Sequence, residues 1–475
     1  MARKEKRDDV FVEIEIETLG FEGVAIGRHD GKVILCKGAL PGERVLVRLL
    51  KNHKKHVDAE VVELRSTSND RRTPPCPHFG VCGGCTWQHL AEDRQSEWKR
   101  QHVIDAFERL GRIPFGEMTS LRSPEKTYGY RNKMEFSFGA SAWLTREEIH
   151  SGEEFTTSFA LGLHVPGRFD KVRNITSCLL HADAADRILS HTHALAAEYR
   201  ISAHNQRSHV GFARHLLLRS SATTGSILTA LITTTPSSDA EIAFVNAWMN
   251  QATDLPEGST LIHAVSNSRS PVAIGSIEKS VGPGYLEEVS HGVTYRISPF
   301  SFFQTNTFHL PILVGEALDG ADIRAEDVVW DLYCGTGTLS LPAARRSHRV
   351  IGAELVQSSI DDARANAERN SITNVDFHTV DLHAPAAIDV LKSWQQPDVV
   401  IVDPPRNGMH PQVVAHLLSV AAPTIVYVSC NPATQARDCA VLHEAYDVVR
   451  VTPVDMFPQT WHVESVAILK RRVGQ

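Results

Sequence analysis

The fold of this chain is decided by the stretch Val328-Val329-Trp330-Asp331-Leu332-Tyr333-Cys334-Gly335-Thr336-Gly337. Its apolar half predicts a buried strand, and its glycines allow the backbone to approach a ligand where the strand ends. Further strands are predicted at Val350–Glu354, Val375–Asp381 and Val399–Pro405, with helical segments between them. Strands that alternate with helices in this way indicate a parallel, doubly wound α/β sheet, which we place in residues 291–475.

Three side chains at the predicted strand ends suggest chemistry. Glu354 ends the second strand at the spacing of an acid that binds ribose hydroxyls, which favours a nucleoside ligand. Asp403 could merely cap a turn, but the two prolines after it hold the chain extended at the ligand edge, which favours contact with a cofactor or base. A lone cysteine is more often a buried structural thiol. Cys430, however, ends an apolar run inside Ser-Cys-Asn-Pro, and this setting favours a nucleophile.

Residues 1–69 are expected to form a small β-barrel. Short alternating segments such as Val12–Ile16 and Lys32–Leu35 are separated by glycines, and Asp30-Gly31 predicts a hairpin turn. A basic cluster, Arg48 to His56, either binds phosphate or forms a solvated turn. Residues 70–290 contain a predicted helix near Asp93–Leu110 followed by alternating segments, which indicate a mainly antiparallel middle domain.

A cysteine run with metal-ligand spacing opens the middle segment. Cys76, Cys82 and Cys85 form a C-x5-C-x2-C pattern that lacks a fourth ligand. Cys178 and Cys36 are the two other cysteines before residue 291. We choose Cys178 as the fourth ligand because Cys36 ends an apolar run of the barrel. Four thiolates suit an iron-sulfur cluster or a tetrahedral zinc ion equally well on spacing alone, and buried thiols are a third possibility.

Composition limits the class of protein. The chain has 475 residues, eight cysteines and a net charge of -7, so it is not a disulfide scaffold and does not coat nucleic acid indiscriminately. No stretch of about eighteen uncharged apolar residues occurs, and the first residues do not resemble a signal peptide. We expect a cytoplasmic enzyme with no membrane contact and no obligate protein partner.

Five motifs occur together in the second half of the chain: Phe302-Phe303-Gln304-Thr305-Asn306, the Asp331–Gly337 loop, Asp403-Pro404-Pro405-Arg406, Ser429-Cys430-Asn431-Pro432 and Met456–Ser465. This set resembles the RNA 5-methyluridine methyltransferase family, which modifies carbon 5 of uracil in transfer and ribosomal RNA. The similarity covers nearly the whole chain. It implies a Rossmann-like class I methyltransferase domain in 291–475, a TRAM barrel of oligonucleotide-binding type in 1–69, and a central domain in 70–290.

The resemblance also implies roles for individual residues. Cys430 matches the nucleophile that adds to carbon 6 of uracil, and Glu464 matches the base that removes the carbon 5 proton. The positions that line the S-adenosylmethionine site are Gln304, Tyr333, Thr338, Glu354, Asp381 and Asp403. Thr338 departs from the family pattern, in which Asn is frequent. The Cys-Gly-Gly-Cys pattern resembles the subgroup with a four-iron, four-sulfur cluster, so iron-sulfur is favoured over zinc at Cys76, Cys82, Cys85 and Cys178.

The implied substrate is a uridine in RNA, with 23S ribosomal RNA favoured by the cysteine pattern and the barrel. A transfer RNA T-loop uridine and a non-catalytic RNA-binding or assembly role are the alternatives. A stacked uracil must leave its stack before Cys430 can reach carbon 6, and Phe302, Phe303 or Trp461 could then stack against it. Tyr130–Lys133 either faces RNA or forms a charge pair on an edge strand.

Overall fold

The computed structural model describes residues 9–155, 159–168, 170–251 and 255–472. The chain divides into two compact units. The first takes in the chain up to Gly80, Gly84–His102 and Phe457–His462, and the second takes in Val81–Gly83, Val103–Met456 and the chain from Val463. Among the described residues, no helix is both long and apolar enough to cross a membrane.

The first unit contains a closed five-stranded barrel, as predicted. Its strands run in the order β1-β2-β3-β5-β4, with bounds β1 Phe11–Leu19, β2 Ala25–His29, β3 Lys32–Cys36, β4 Arg44–Asn52 and β5 His56–Leu64. Asp30 and Gly31 both have positive φ, at 47° and 75°, and form the predicted two-residue hairpin turn. Cys36 is buried in the barrel core, where burial raises the pKa of its thiol to about 11.

A short segment from the far end of the chain completes this unit. Gln459 accepts hydrogen bonds at its carbonyl oxygen from the backbone amides of Thr86 (3.1 Å) and Trp87 (3.0 Å). Buried Gln95 donates to Gln459 Oε1 at 3.1 Å and accepts from Gln459 N at 3.0 Å. Gln459 adopts a φ of 66°, and Trp461 packs against the barrel core. These bonds anchor the Phe457–His462 segment to the unit that contains the barrel.

Helix α1 (Glu92–Asp105) confirms the predicted helix and continues into a π-helical turn at Ala106–Gly111. The apolar residues of this segment pack in two different cores. Trp98 of the helix packs against the barrel cluster, and Phe107 of the π-helical turn belongs to the α/β core of the second unit. A short strand, β6 (Phe115–Met118), follows.

The middle part of the second unit is a seven-stranded sheet. The strands are β7 Lys133–Gly139, β8 Ala160–His164, β9 Val172–Asn174, β10 Ala213–Ser220, β11 Ile227–Thr233, β12 Thr260–Val265 and β13 Ser276–Val281. Their order is β13-β12-β11-β10-β7-β8-β9, and β11–β12 is the parallel pair in an otherwise antiparallel sheet. Its helices are α2 Arg146–His150, α3 Asp183–Glu198 and α4 Asp239–Met249, and a separate hairpin consists of β14 Leu286–Ser290 and β15 Val293–Ile297.

The catalytic half forms an eight-stranded sheet in the order β18-β17-β16-β19-β20-β22-β21-β6. Its strands are β16 Val328–Leu332, β17 Arg349–Glu354, β18 Val375–Thr379, β19 Val399–Val402, β20 Thr424–Ser429, β21 Tyr446–Val454 and β22 Glu464–Arg471. Its helices are α5 Leu310–Ala321, α6 Ser340–Ala344, α7 Gln357–Arg369, α8 Ala387–Lys392, α9 Pro411–Val420 and α10 Pro432–Leu442.

The predicted doubly wound sheet is confirmed, since β16 to β20 pair in parallel and β22 runs antiparallel to β20 and β21. One strand was not expected there. β6 lies in the segment predicted as the middle domain, yet it pairs with β21 at the edge of this sheet. The division into three domains at 69 and 290 stays a prediction.

Candidate active site

Cys430 and Glu464 meet at one edge of the catalytic sheet. β20 ends at Ser429, and its register with β22 pairs Ser429 with Ser465. Cys430 directly follows the last paired residue of β20, Glu464 directly precedes Ser465 on β22, and the charge of Glu464 acts on the Cys430 thiol. Asn431 then caps α10 by accepting a hydrogen bond from Ala433 N at 3.1 Å. The cap fixes the backbone directly after the thiol.

A fully buried glutamine reinforces this pairing. Gln435 Nε2 donates to the carbonyl oxygens of Tyr427 at 2.7 Å and Ser465 at 3.1 Å, and its Oε1 accepts from Ser465 Oγ at 2.5 Å. Helix α10 is thereby bonded to both β20 and β22. The position of Cys430 relative to Glu464 therefore depends on side-chain bonds as well as on the strand ladder.

Four of the six predicted cofactor contacts line a single cavity. These residues are Gln304, Tyr333, Thr338 and Asp403, and Phe302 and Asp331 line the same cavity. Gln304 Nε2 donates to Asp403 Oδ2 at 3.3 Å. The backbone of Tyr333 has a φ of 70° and its amide bonds to Ala353 O, which turns the chain sharply where β16 ends.

The two remaining predicted contacts lie at neighbouring strand ends. Glu354, the last residue of β17, accepts from the amide of Gly335 at 3.3 Å and from that of Val356 at 2.9 Å. It therefore lies against the glycine loop. Asp381 follows β18, is exposed, and accepts from the amide of His383 at 2.9 Å. The parallel register of β16, β17 and β18 brings both carboxylates to the same edge as the cavity.

Three carboxyl groups of the site, those of Asp331, Asp403 and Glu464, are buried. Burial raises the pKa of Asp331 to about 7, although Ser340 donates a hydrogen bond to it. Burial and then the charge of Asp331 raise the pKa of Asp403. Burial and then the charge of Asp403 raise the pKa of Glu464 well above its usual range, and Arg406 opposes this shift. A cation bound among these acids would favour their ionised forms.

The candidate nucleophile shares this environment. The pKa of the Cys430 thiol is raised to about 12, mainly by burial and then by the charges of Glu464 and Asp403, while Arg406 opposes the shift. Glu464 itself is 3% exposed, and its Oε2 has no hydrogen-bond partner among the described residues. The thiol of the protein alone is thus protonated at neutral pH, and the candidate base has one carboxyl oxygen left for a ligand.

A loop held from the middle sheet presents one aromatic ring to the cavity. Phe302 lines the cavity and is 58% exposed. Phe303 is 1% exposed and packs against Tyr295, so its suggested stacking role is wrong. Asn132 is buried and donates from Nδ2 to Gln304 O at 2.8 Å, which makes the neighbouring Tyr130–Lys133 stretch a support for this loop. Trp461 belongs to the first unit and packs against Phe21 and the barrel core.

The cysteine set is divided between the units. Cys82 belongs to a large apolar cluster of the second unit, and Cys178 is partly buried against the same cluster. Cys76 and Cys85 belong to the first unit and are partly buried. The amide of Gly83, between Cys82 and Cys85, donates to His164 O at 3.1 Å. A Cβ at Gly83 would lie 3.0 Å from that oxygen, which explains the glycine.

Three residues of the site carried no predicted role. Asp331 lies in the motif that decides the fold, and its burial at a strand end was the available signal. Arg406 follows the two prolines, and its charge lowers the pKa of both Cys430 and Glu464. Nothing in the sequence indicated a role for Gln435, because an isolated glutamine in a helix usually faces solvent.

Comparison with known proteins agrees with this geometry. Residues 246–472 match the family model described as tRNA (Uracil-5-)-methyltransferase, and residues 11–62 match the TRAM domain. An uncharacterized RNA methyltransferase of Bacteroides thetaiotaomicron is 37% identical over 95% of this chain and 99% of its own length. One from Porphyromonas gingivalis is 38% identical over 96% and 99%.

A solved structure covers almost the whole chain as well. It is the Pyrococcus abyssi tRNA (uracil-54, C5)-methyltransferase in complex with S-adenosyl-L-homocysteine, which is 28% identical with a TM-score of 0.74 and covers 96% of this chain and 100% of its own. The fold, the TRAM barrel and the relatives together show that this chain is an RNA methyltransferase of the tRNA (uracil-5-)-methyltransferase family.

Proposed function

We propose that this enzyme transfers the methyl group of S-adenosylmethionine to carbon 5 of a uridine in RNA. The observation that carries the proposal is that Cys430 and Glu464 lie at adjoining strand ends and both feel the charge of Asp403, a buried acid that lines the cavity. A sulfonium is a cation, and the pKa values of Asp331 and Asp403 at the cavity are raised by burial first and then by the charges of neighbouring acids, which a bound cation would offset. The family match and the ligand of the Pyrococcus structure support the same donor.

The reaction needs a nucleophile because carbon 5 of uracil is too electron-poor to attack a methyl sulfonium directly. The thiolate of Cys430 adds to carbon 6, and carbon 5 becomes an enolate-like nucleophile. Carbon 5 then takes the methyl group, and S-adenosylhomocysteine leaves. Glu464 removes the proton from carbon 5, the double bond to carbon 6 re-forms, and the bond from carbon 6 to sulfur breaks, which returns the thiolate. Phe302 is the exposed ring available to stack against the extruded base.

The activity is tested by incubating purified protein with labelled S-adenosylmethionine and fractionated RNA. We propose ribosomal RNA as the target, on the resemblance of the cysteine pattern. Transfer RNA is the second candidate, favoured by the family description and by the transfer RNA specificity of the Pyrococcus abyssi enzyme. Mapping 5-methyluridine in a deletion strain decides between them. Loss confined to transfer RNA would overturn the ribosomal choice, and no methyl transfer to any RNA would overturn the activity.

The donor is expected to activate the nucleophile. In the protein alone, alkylation of Cys430 by iodoacetamide should rise with pH towards a pKa of about 12. S-adenosylmethionine carries a positive sulfonium near Asp403, so it should lower this pKa by about one unit or more and raise the thiolate fraction about tenfold at a fixed pH below it. S-adenosylhomocysteine is uncharged at sulfur, so it should not lower the pKa of Cys430. Peptide mass spectrometry separates Cys430 from the other thiols. Equal pKa values with both ligands would contradict the expectation.

We further propose that Cys76, Cys82, Cys85 and Cys178 hold a four-iron, four-sulfur cluster, with zinc as the alternative. Contact of both Cys82 and Cys178 with the same apolar cluster supports a partly buried thiolate-bound group. Methyl transfer needs no electrons, so the role of these residues is to stabilise the surface that binds RNA.

Anaerobically purified protein is expected to be brown and to contain about four irons per chain. Cys82→Ser should remove the colour and weaken RNA binding more than S-adenosylmethionine binding, because the active site lies on other elements. Cys36→Ser, in the barrel core, is the matched control and should retain the iron. A colourless wild-type protein with stoichiometric zinc would exclude the iron-sulfur cluster and leave the methyltransferase activity untouched.

A further inference from the structure

A second cavity opens in the middle sheet, away from the catalytic sheet. It has a volume of about 240 Å³ and lies where β7 and β8 end and β9 begins. Its lining includes the ring of Phe138, the imidazoles of His164 and His204, and the polar side chains of Asp170, Lys171 and Gln206. Neither the catalytic residues nor the cysteine set contributes to it.

Two imidazole nitrogens in this lining, Nδ1 of His164 and Nδ1 of His204, are buried without a hydrogen-bond partner among the described residues. His204 is 5% exposed, and its Nδ1 makes no hydrogen bond within the described part of the chain. Burial, with the nearby charge of Arg214, lowers the pKa of His204, so its ring is neutral at pH 7. An unsatisfied buried nitrogen costs free energy. A ligand with a polar edge would supply the missing bond.

The side chains around the cavity include cations and a carboxylate. Lys171 and Arg207 are cationic, but Asp170 bonds to Arg207 at 2.8 Å and lies 3.6 Å from Arg168. The Asp170 carboxylate offsets the charge of Arg207 and can accept a hydrogen bond from an amino or imino group. His164 Nε2 bonds to Ser137 Oγ at 3.0 Å, so this ring is held in place beside Phe138. Fixed rings and donors and acceptors of both kinds suit a flat, neutral heterocycle.

We propose that this cavity binds an unpaired nucleobase of the substrate RNA, distinct from the uridine that is methylated. This proposal rests on the proposed function, because the nucleobase would belong to the RNA that the enzyme methylates. Strand β7 relates the two sites, because Asn132 immediately before it supports the Gln304 loop and Gly139 at its end lines the second cavity. Seven residues of strand span about 23 Å. A short single-stranded segment can bridge that distance, so the second base would set which uridine reaches Cys430.

The test uses a variant that fills the cavity without removing its polar groups. Ser141 is exposed and lines the cavity, so Ser141→Trp should block it and leave the fold intact. Ser208→Trp, on an exposed position outside the lining, is the matched control. The substrates are target-derived RNA oligonucleotides, each with a single abasic position, and kcat/KM is measured for each with wild type and both variants.

One abasic position other than the target should lower the wild-type kcat/KM about tenfold, as expected for loss of one stacked and bonded base. The same position should have no effect in Ser141→Trp and its full effect in Ser208→Trp, while S-adenosylmethionine binding is unchanged throughout. If no abasic position loses its effect in Ser141→Trp, the proposal is wrong. If wild type methylates none of these RNAs, the proposed function fails instead, and filter binding of the same oligonucleotides still tests the cavity.

Discussion

Replacement of Cys430 by alanine is expected to abolish methyl transfer. Removing a covalent nucleophile typically costs on the order of 10⁶-fold in turnover. Cofactor binding should be nearly unchanged, because the cavity that we propose for S-adenosylmethionine is lined by residues of other strand ends and loops. The thiol is protonated in the protein alone, so its loss does not change the charge near the cofactor cavity. Single-turnover assays with labelled donor and equilibrium dialysis measure the two effects separately.

The control for this variant is Cys439→Ala, on helix α10, which begins directly after the Cys430 segment. Cys439 is fully buried, and burial raises the pKa of its thiol out of the reactive range. Its replacement should lower stability but retain the activity of the folded fraction. A Cys430→Ala enzyme that methylates uracil at the wild-type rate would contradict the covalent mechanism.

Glu464→Gln is expected to trap a covalent complex between protein and RNA. The substitution blocks removal of the carbon 5 proton and therefore elimination of the thiolate, with a loss of about 10²- to 10⁴-fold in turnover. Formation of the adduct should not suffer, because the charge of Glu464 raises the pKa of Cys430 and its removal lowers it. A band of retarded mobility in denaturing gels, containing labelled methyl, reports the trapped species.

Glu444→Gln, at a position after α10, is the matched control and should form no such complex. The double variant Cys430→Ala, Glu464→Gln should also form none, because the adduct requires the thiol. A Glu464→Gln enzyme that turns over normally would show that another group removes the proton.

The doubly wound sheet could be predicted from the sequence because its strands are local apolar runs that end in chemically distinctive residues. β6 could not be predicted in the same way. It has four residues without a regular apolar pattern, and its partner β21 begins at Tyr446, so nothing local indicates the pairing. The placement of Cys430 near Glu464 is similar. Each residue could be found through its motif, but their proximity depends on the register of β20 and β22, which pairs Ser429 with Ser465.

Neighbouring positions in a loop show a second limit. Phe302 and Phe303 are identical in type, yet Phe302 is 58% exposed at the cavity and Phe303 is 1% exposed. The direction of each ring follows from how Asn132 and other buried groups hold the loop backbone, and those contacts join parts of the chain far apart in sequence. Strand ends could therefore be located from sequence, whereas side-chain directions in the connecting loops could not.

The anchoring of Phe457–His462 has a consequence for how the enzyme is made. Gln95 and Gln459 are bonded to each other but lie 364 positions apart. During synthesis the barrel strands emerge early and can pair locally, while the amides of Thr86 and Trp87 await their acceptor, Gln459 O, until nearly all of the chain has been translated. Contacts of such sequence separation form slowly because a long loop must close first. The unit that is synthesised first is therefore completed last.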